Sequence, residues 1–239
     1  TKLMNYIKKK LKLSDVTLLA VTSTEIDMAQ LALRISSRNI EFGAIKLFSS
    51  SRPKKAYPEI EYISVPPLNI MDYNRIIIED LHKYFKTSYC LIVQADSFVV
   101  NTDLWKNEFL EFDYIGAPWP NKIQIDSKLT LSLEKNPVGN GGFSLRSRKL
   151  VEATAKINFN SLNVPIKSED IIICYYYYKQ MLDGGIRFAS PQLASQFSME
   201  NENHLYGQDV NTVFGFHGKQ FREYFLNKYA LHETFGEWT

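Results

Sequence analysis

The chain has 239 residues, 45% hydrophobic and 23% charged, and its 28 basic and 26 acidic side chains leave a formal net charge of +2. That balance excludes a dedicated nucleic-acid binder, which needs a strongly basic face, so no nucleic-acid partner is expected. No apolar run approaches the roughly 18 residues that span a bilayer, and no signal-peptide core follows the basic start. The length suits one domain that buries a core without covalent staples. The two cysteines, Cys90 and Cys174, lie in apolar surroundings that suit buried thiols in a reducing compartment.

Residues 2–13 are basic and read as a short leader helix, either solvated or touching anionic lipid. Residues 15–22 form an apolar, β-branched run of strand length. Ser23 and Thr24 then offer N-caps to a helix whose inward stripe is Met28, Leu31, Ala32 and Ile35. A strand over 42–48 closes a β-α-β unit, residues 49–57 are a loop, and a strand over 60–65 stops at Pro66-Pro67. Asp72 is placed to cap a helix over 73–85. Residues 89–93 form a central apolar strand that runs into Gln94-Ala95-Asp96. This alternation predicts a mostly parallel α/β sheet with right-handed crossovers and helices on its flanks. Beyond residue 100 come short strands at 114–117 and 142–145, then helices from about Arg148 and Ser168. A strand over 186–189 and a final amphipathic helix over 218–229 follow. No repeat or long linker interrupts the chain, which points to one domain over 1–239.

Several residues are placed for chemistry. Asp96 ends an apolar strand at the edge where parallel sheets bind ligands, suiting a cation that bridges phosphates; the same position also suits a plain turn residue. The turn Val138-Gly139-Asn140-Gly141-Gly142 combines positive φ with exposed amides that a sugar or phosphate can approach, although an ordinary β-turn reads alike. Arg146 and Arg148 behind it are candidates for phosphate pairing. Ser168 with Glu169 and Asp170 satisfies helix electrostatics alone, or supplies a general base, for which Asp170 is the better candidate. His217, between Phe216 and Gly218, either packs structurally or completes a metal shell begun by Asp96. Tyr114, Trp119 and Trp105 offer rings for stacking on a sugar. The run Tyr175 to Tyr178 samples every helical face and reads as packing. No role is assigned to His82, His204 or His232.

A DxD-like strand end, a glycine turn leading into Phe-Ser-Leu-Arg, a Glu-Asp pair and a late histidine, in that order, resemble glycosyltransferases of the GT-A fold, which has a Rossmann-like nucleotide-binding sheet. The β-1,4-galactosyltransferase and polypeptide N-acetylgalactosaminyltransferase groups share that order. The segments 113–119, 138–146, Glu169-Asp170 and 214–218 look more closely like a bacterial glycosyltransferase family. That family is found with surface-polysaccharide genes and was long described as of unknown function.

The resemblance implies a division into a nucleotide-binding half (14–100) and an acceptor-binding half (101–239). It implies that Asp96 and His217 bind Mn²⁺ or Mg²⁺ on the donor diphosphate. Asp170, supported by Glu169, becomes the base of an inverting transfer. Thr22 and Ser23 fall near the base or ribose, with Gln94, Asn140, Gly141 and Gly142 also on the donor, and Tyr114 and Trp119 on the acceptor. The implied partners are a nucleotide-sugar, UDP-sugar favoured, and a glycan or lipid-linked glycan. The implied setting is cytoplasmic O-antigen or capsule synthesis, with peripheral contact at the inner face of the membrane as an option. One departure is Gln94, which stands where the first acid of DxD is expected and cannot ligate a metal as a carboxylate. A sugar-nucleotidyltransferase is a rival, but residues 21–25 lack the glycine-rich basic loop of that class. A binding module without turnover is the non-enzymatic alternative.

Overall fold

β1 (Leu11–Thr22) is the spine of the sheet. In the computed structural model, which describes residues 8–201 and 206–236, its residues 16–21 are buried without interruption. A strand reads this way when it has neighbours on both edges and cover on both faces. Leu18 and Ala20 enter one core, while Leu19 and Val21 enter a second on the opposite face. Leu11 to Leu13 belong to this strand, so the expected leader helix does not extend over them. Residues 2–7 of that expectation lie outside the described residues.

α1 (Ile26–Ser37) follows, but neither Ser23 nor Thr24 caps it. The helix starts at Glu25 without a side-chain cap, and its inward face is Ala29, Ala32, Leu33 and Ile35, turned from the expected stripe. Next come β2 (Ile40–Ser49), β3 (Glu61–Ser64), α2 (Ile70–Arg75) and β4 (Tyr89–Ile92). α2 begins one turn before the expected cap: Asn69 accepts from the Asp72 amide and Asp72 accepts from the Asn69 amide, a reciprocal capping box. It continues through a π-helical turn over Ile76–Asp80.

Beyond β4 the chain enters β5 (Ser97–Val99), β6 (Tyr114–Ile115), the hairpin β7 (Lys122–Gln124) and β8 (Thr130–Ser132), and β9 (Ser144–Ser147). α3 (Arg148–Thr154), α4 (Glu169–Ile171), α5 (Tyr178–Asp183) and α6 (Pro191–Phe197) follow. β10 (Ser198–Met199), β11 (Gly215–His217), α7 (Lys219–Lys228) and α8 (Leu231–Phe235) complete the described chain. The expected strand at 186–189 reduces to a bridge between Phe188 and Tyr114.

The main sheet has the order β3-β2-β1-β4-β9-β6. β3, β2, β1 and β4 run parallel, whereas β9 is antiparallel to both β4 and β6. The sheet is therefore mixed, not mostly parallel as expected. The cause is the way β9 is entered: it starts from a turn at the carboxyl end of β4 instead of returning by a helical crossover, so it must run backwards. Ile92, the last residue of β4, pairs with Ser144, the first of β9. That register sets the glycine turn beside residues 94–96. A second sheet, β10-β11-β5, lies alongside, and α1 ties down β5: Ser36 Oγ accepts from the Val99 amide, and Arg38 donates to the carbonyls of Val99 and Val100.

Both cysteines are buried and free, and burial pushes the Cys90 thiol up to about 12. Tyr114 and Trp119 are buried as well, so neither ring offers a face to an acceptor. Trp119 packs on the glycine turn so closely that a Cβ on Gly139 would overlap its indole. Gly139→Ala is expected to lower the unfolding free energy by about 1–3 kcal/mol through overpacking, as read by urea denaturation.

Candidate active site

At the carboxyl ends of β1 and β4 lies a cleft of about 370 Å³. Thr22, Ser23, Gln94 and Asp96 line it, joined by Leu68, Asn69, Ile70 and Tyr73 from α2 and its approach. The strand ends give two walls, and Ser23 recruits the third by accepting the Leu68 amide. Gln94 Nε2 donates to the Tyr73 hydroxyl at 2.9 Å. Burial holds that hydroxyl well above the usual phenol range.

Asp96 sits where the main sheet passes into the second one. β5 and β11 pair antiparallel with His217 opposite Ser97, and the Gly218 amide donates to the Asp96 carbonyl. The imidazole is thereby held between two carboxylates: Nε2 lies 3.2 Å from Asp96 Oδ1, and Nδ1 lies 2.7 Å from Glu200 Oε1. Burial by itself would lower the imidazole's pKa, but the two carboxylates outweigh it and raise it to about 10. Burial likewise opposes ionisation of Asp96, yet its contact with His217 and the Arg222 charge hold it below the usual carboxylate range.

The glycine turn joins this cluster to Asp170. Ser97 Oγ donates to the Gly142 carbonyl, and the His217 ring lies so close to Gly142 that a Cβ there would overlap it. On the other side the Gly141 amide donates to Asp170 Oδ2 at 3.0 Å. The positive φ expected of the glycines is absent from the turn; Asn140 alone adopts it, at 56°. The glycines serve close approach instead. Asn140 is buried, and its amide donates to the carbonyls of Ala117 and Pro118, which fixes the turn.

Beneath the turn Arg146 and Glu169 form a buried pair, two nitrogens on two oxygens at 2.8 Å each. Burial opposes the guanidinium's charge, but Glu169 outweighs it and raises its pKa. Arg146 is thus committed to Glu169 and not placed for a phosphate. Arg148 donates to the carbonyls of His82, Phe85 and Thr87, closing the end of the α2 segment. Glu169 has both oxygens engaged, and its amide donates to Asn74 Oδ1. Asp170, the neighbouring carboxylate, is half-buried and, among the described residues, accepts only backbone amides, those of Gly141 and Ile171.

A family model described as "Protein of unknown function (DUF5672)" matches residues 60–217. The chain belongs to this family. The DUF5672 match opens at the edge of β3 and closes on His217, so it takes in Gln94, Asp96, the glycine turn, Glu169 and Asp170 and leaves out β1 with Thr22 and Ser23. No curated protein sequence matches the chain. Among solved structures, the bifunctional IspDF from Campylobacter jejuni is similar at 13% identity and TM-score 0.46, over 75% of this chain and 49% of that one. The chain therefore spans about half the length of that relative. A glycosyltransferase involved in glycosylation of the PBCV-1 major capsid is similar at 12% identity and TM-score 0.46, over 90% and 98%. The galactosyltransferase LgtC, bound to donor and acceptor sugar analogues, is similar at 14% identity and TM-score 0.45, over 85% and 87%. No helix among the described residues is long and apolar enough to cross a membrane.

No group of three or more His, Cys, Asp and Glu side chains that could hold a metal ion occurs among the described residues. The pair available is Asp96 Oδ1 and His217 Nε2, with Glu200 on the other ring nitrogen. A carboxylate oxygen and an imidazole nitrogen, the ring oriented by a second carboxylate, would supply two ligands to Mn²⁺, whereas Mg²⁺ prefers oxygen and would draw mainly on Asp96. Mn²⁺ bound there would take the place of the proton on Nε2.

Glu200, Tyr73 and Asn74 escaped the sequence reading. Glu200 follows a two-residue strand with no pattern of its own, and Tyr73 and Asn74 sit inside an amphipathic helix where nothing marks a polar face as cleft wall. Two outcomes test this geometry. Glu169→Ala leaves Arg146 buried and unpaired and is expected to cost about 3–5 kcal/mol of stability by denaturant unfolding. The His217 contact stabilises fully below about pH 6.5, the ring's ordinary value, and is lost as pH rises through about 10. In EDTA, the stability difference between wild type and His217→Gln should therefore shrink as pH rises from 6.5 to 10, by urea unfolding at each pH.

Proposed function

We propose that the chain is a glycosyltransferase that moves a sugar from a nucleotide-diphosphate donor to a hydroxyl of a glycan acceptor. The observation that carries this reading is the continuity of the site. The cleft at the ends of β1 and β4 leads to Asp96 and His217, and the glycine turn leads from His217 to Asp170. A nucleoside in the cleft would meet Thr22 and Ser23 first, with its diphosphate directed toward Asp96.

Asp96 and His217 are the residues that would hold Mn²⁺ or Mg²⁺, and such an ion supplies charge neutralisation for a departing diphosphate. Asp170 would accept the proton of the acceptor hydroxyl as its oxygen attacks the anomeric carbon, which makes the transfer inverting. Its two amide contacts hold the carboxylate in place. Glu169 positions Asp170, its carboxylate held in the interior by Arg146. Gln94, tied to Tyr73 in the cleft wall, would offer a hydrogen-bonding group to the donor. The donor favoured is a UDP-sugar, the acceptor a glycan or lipid-linked glycan, and the setting cytoplasmic assembly of a bacterial surface polysaccharide.

Calorimetric titration of UDP, GDP and CMP, each with and without Mn²⁺, tests the donor site. Wild type should bind one nucleotide in a manganese-dependent way, and Asp96→Ala should lose that dependence. Asp170→Asn should bind the same nucleotide as tightly as wild type while product formation falls by about 10³-fold or more, on the scale of losing a positioned general base together with its charge. Weakened nucleotide binding in Asp170→Asn would assign that carboxylate to the fold instead.

A further inference from the structure

Glu25 is the least comfortable residue of the cleft. Its backbone is left-handed, with φ 51° and ψ 39°, a conformation that L residues other than glycine, asparagine and aspartate rarely adopt. The residue begins α1, where Ser, Thr, Asp or Asn is preferred and a side-chain oxygen normally caps the first amides; here no side-chain cap forms. Its carboxylate has no hydrogen-bond or ion-pair partner among the described residues, although its carbonyl accepts the Ala29 amide. Yet Glu25 lines the 370 Å³ cleft.

The residues that would have relieved this arrangement are committed elsewhere. Thr22 Oγ1 bonds the amide and carbonyl of Thr24, which folds the chain sharply at the end of β1. Ser23 Oγ holds the Leu68 amide and so closes the cleft's third wall. With both hydroxyls used to shape the cleft, the chain passes through a left-handed residue to reach α1. Glu25 is exposed, so its free carboxylate is open to a ligand as well as to water. Backbone strain of this kind concentrates where a ligand makes use of the residue.

We infer that Glu25 is the specificity-determining residue of the cleft, accepting a pair of hydrogen-bond donors from the nucleoside of the donor substrate. This rests on the nucleotide-sugar reading above. An ionised carboxylate offers two acceptor oxygens and no donor. It therefore selects ligands that present two donors side by side and disfavours those that present carbonyls. A nucleoside has two such edges: the N1–H and 2-amino group of guanine, and the 2′,3′-diol of ribose. Leu68 and Ile70 also line the cleft, Ile70 well exposed, and their apolar side chains suit the flat face of a base.

The test compares wild type, Glu25→Gln and Glu25→Asn by calorimetry with UDP, GDP, IDP and 2′-deoxy-UDP in Mn²⁺, with thermal unfolding of each protein alongside. Glu25→Gln replaces an acceptor oxygen by a donor and should weaken the preferred nucleotide about tenfold. Glu25→Asn, which tolerates the left-handed backbone, should lose affinity equally while its Tm stays level or rises by about 2–4 °C. A guanine edge is identified when GDP is preferred and IDP, lacking the amino group, binds to wild type as it does to Glu25→Gln. A ribose edge is identified when UDP is preferred and 2′-deoxy-UDP abolishes the difference between the two proteins. Variants that bind every nucleotide within twofold of wild type overturn the inference alone. A wild-type protein that binds none of the four overturns the donor-site reading and this inference together.

Discussion

The buried pair of Arg146 and Glu169 is the contact on which the rest of the site depends. Two charges taken out of water at such depth are tolerated only when each offsets the other, and here one guanidinium nitrogen donates to Oε1 while the second lies 2.8 Å from Oε2 as an ion-pair contact. The pair joins β9 to the start of α4 across the back of the glycine turn. It leaves no room above it, since a Cβ on Gly141 would overlap the Glu169 carboxylate. Asp170 follows Glu169 in sequence, so anchoring one carboxylate aims the next at the Gly141 amide. Asn74 accepts the Glu169 amide from the other side and links the same point to the helix that walls the cleft. Cleft wall, β9 and α4 are thus held by one residue's polar groups.

The mixed sheet gives this arrangement its shape. The parallel half, β3-β2-β1-β4, opens a cleft at its carboxyl edge as parallel sheets do. A continued parallel pattern would have sent the chain away from that edge through a helix. The reversal at β9 instead returns it there, and the β5–β11 ladder brings a segment more than a hundred residues later to the same place. Asp96 belongs to the first half, His217 to the end of the second, and their contact is where the two sheets meet.

Much of the first half was legible in the sequence because its strands are buried on both faces and its turns are marked. The run through Val21 and the run through Ile92 announce their strands, and Thr22, Ser23, Gln94 and Asp96 follow them into the cleft. Legibility fails where two physical readings share one pattern. Tyr114 and Trp119 beside a proline-rich turn fit a sugar platform and a core equally well, and burial chose the core. Glycines at 139, 141 and 142 fit positive φ and close approach alike, and the structure uses the second. Arg146 and Arg148 fit phosphate or partner, and carboxylate and carbonyls claim them. The reversal of β9 left no local trace at all, since a short apolar strand carries no mark of its direction.

The charge balance around Asp96 bears on how a ligand enters. Asp96 and Glu200 carry one negative charge each, while the imidazolium of His217 and the Arg222 guanidinium carry one positive charge each, so the cluster is neutral in itself. A neutral cluster has little long-range attraction for either a lone cation or a lone diphosphate. Exchanging the Nε2 proton for a divalent ion would add one net positive charge, and a diphosphate would then overcompensate it. Under the proposed reading, each of the two therefore improves the site for the other, which is a thermodynamic coupling and must be reciprocal. Under that reading few protein ligands would suffice: with Gln94 in place of a second acid, the remaining negative charge that an ion requires would arrive with the substrate.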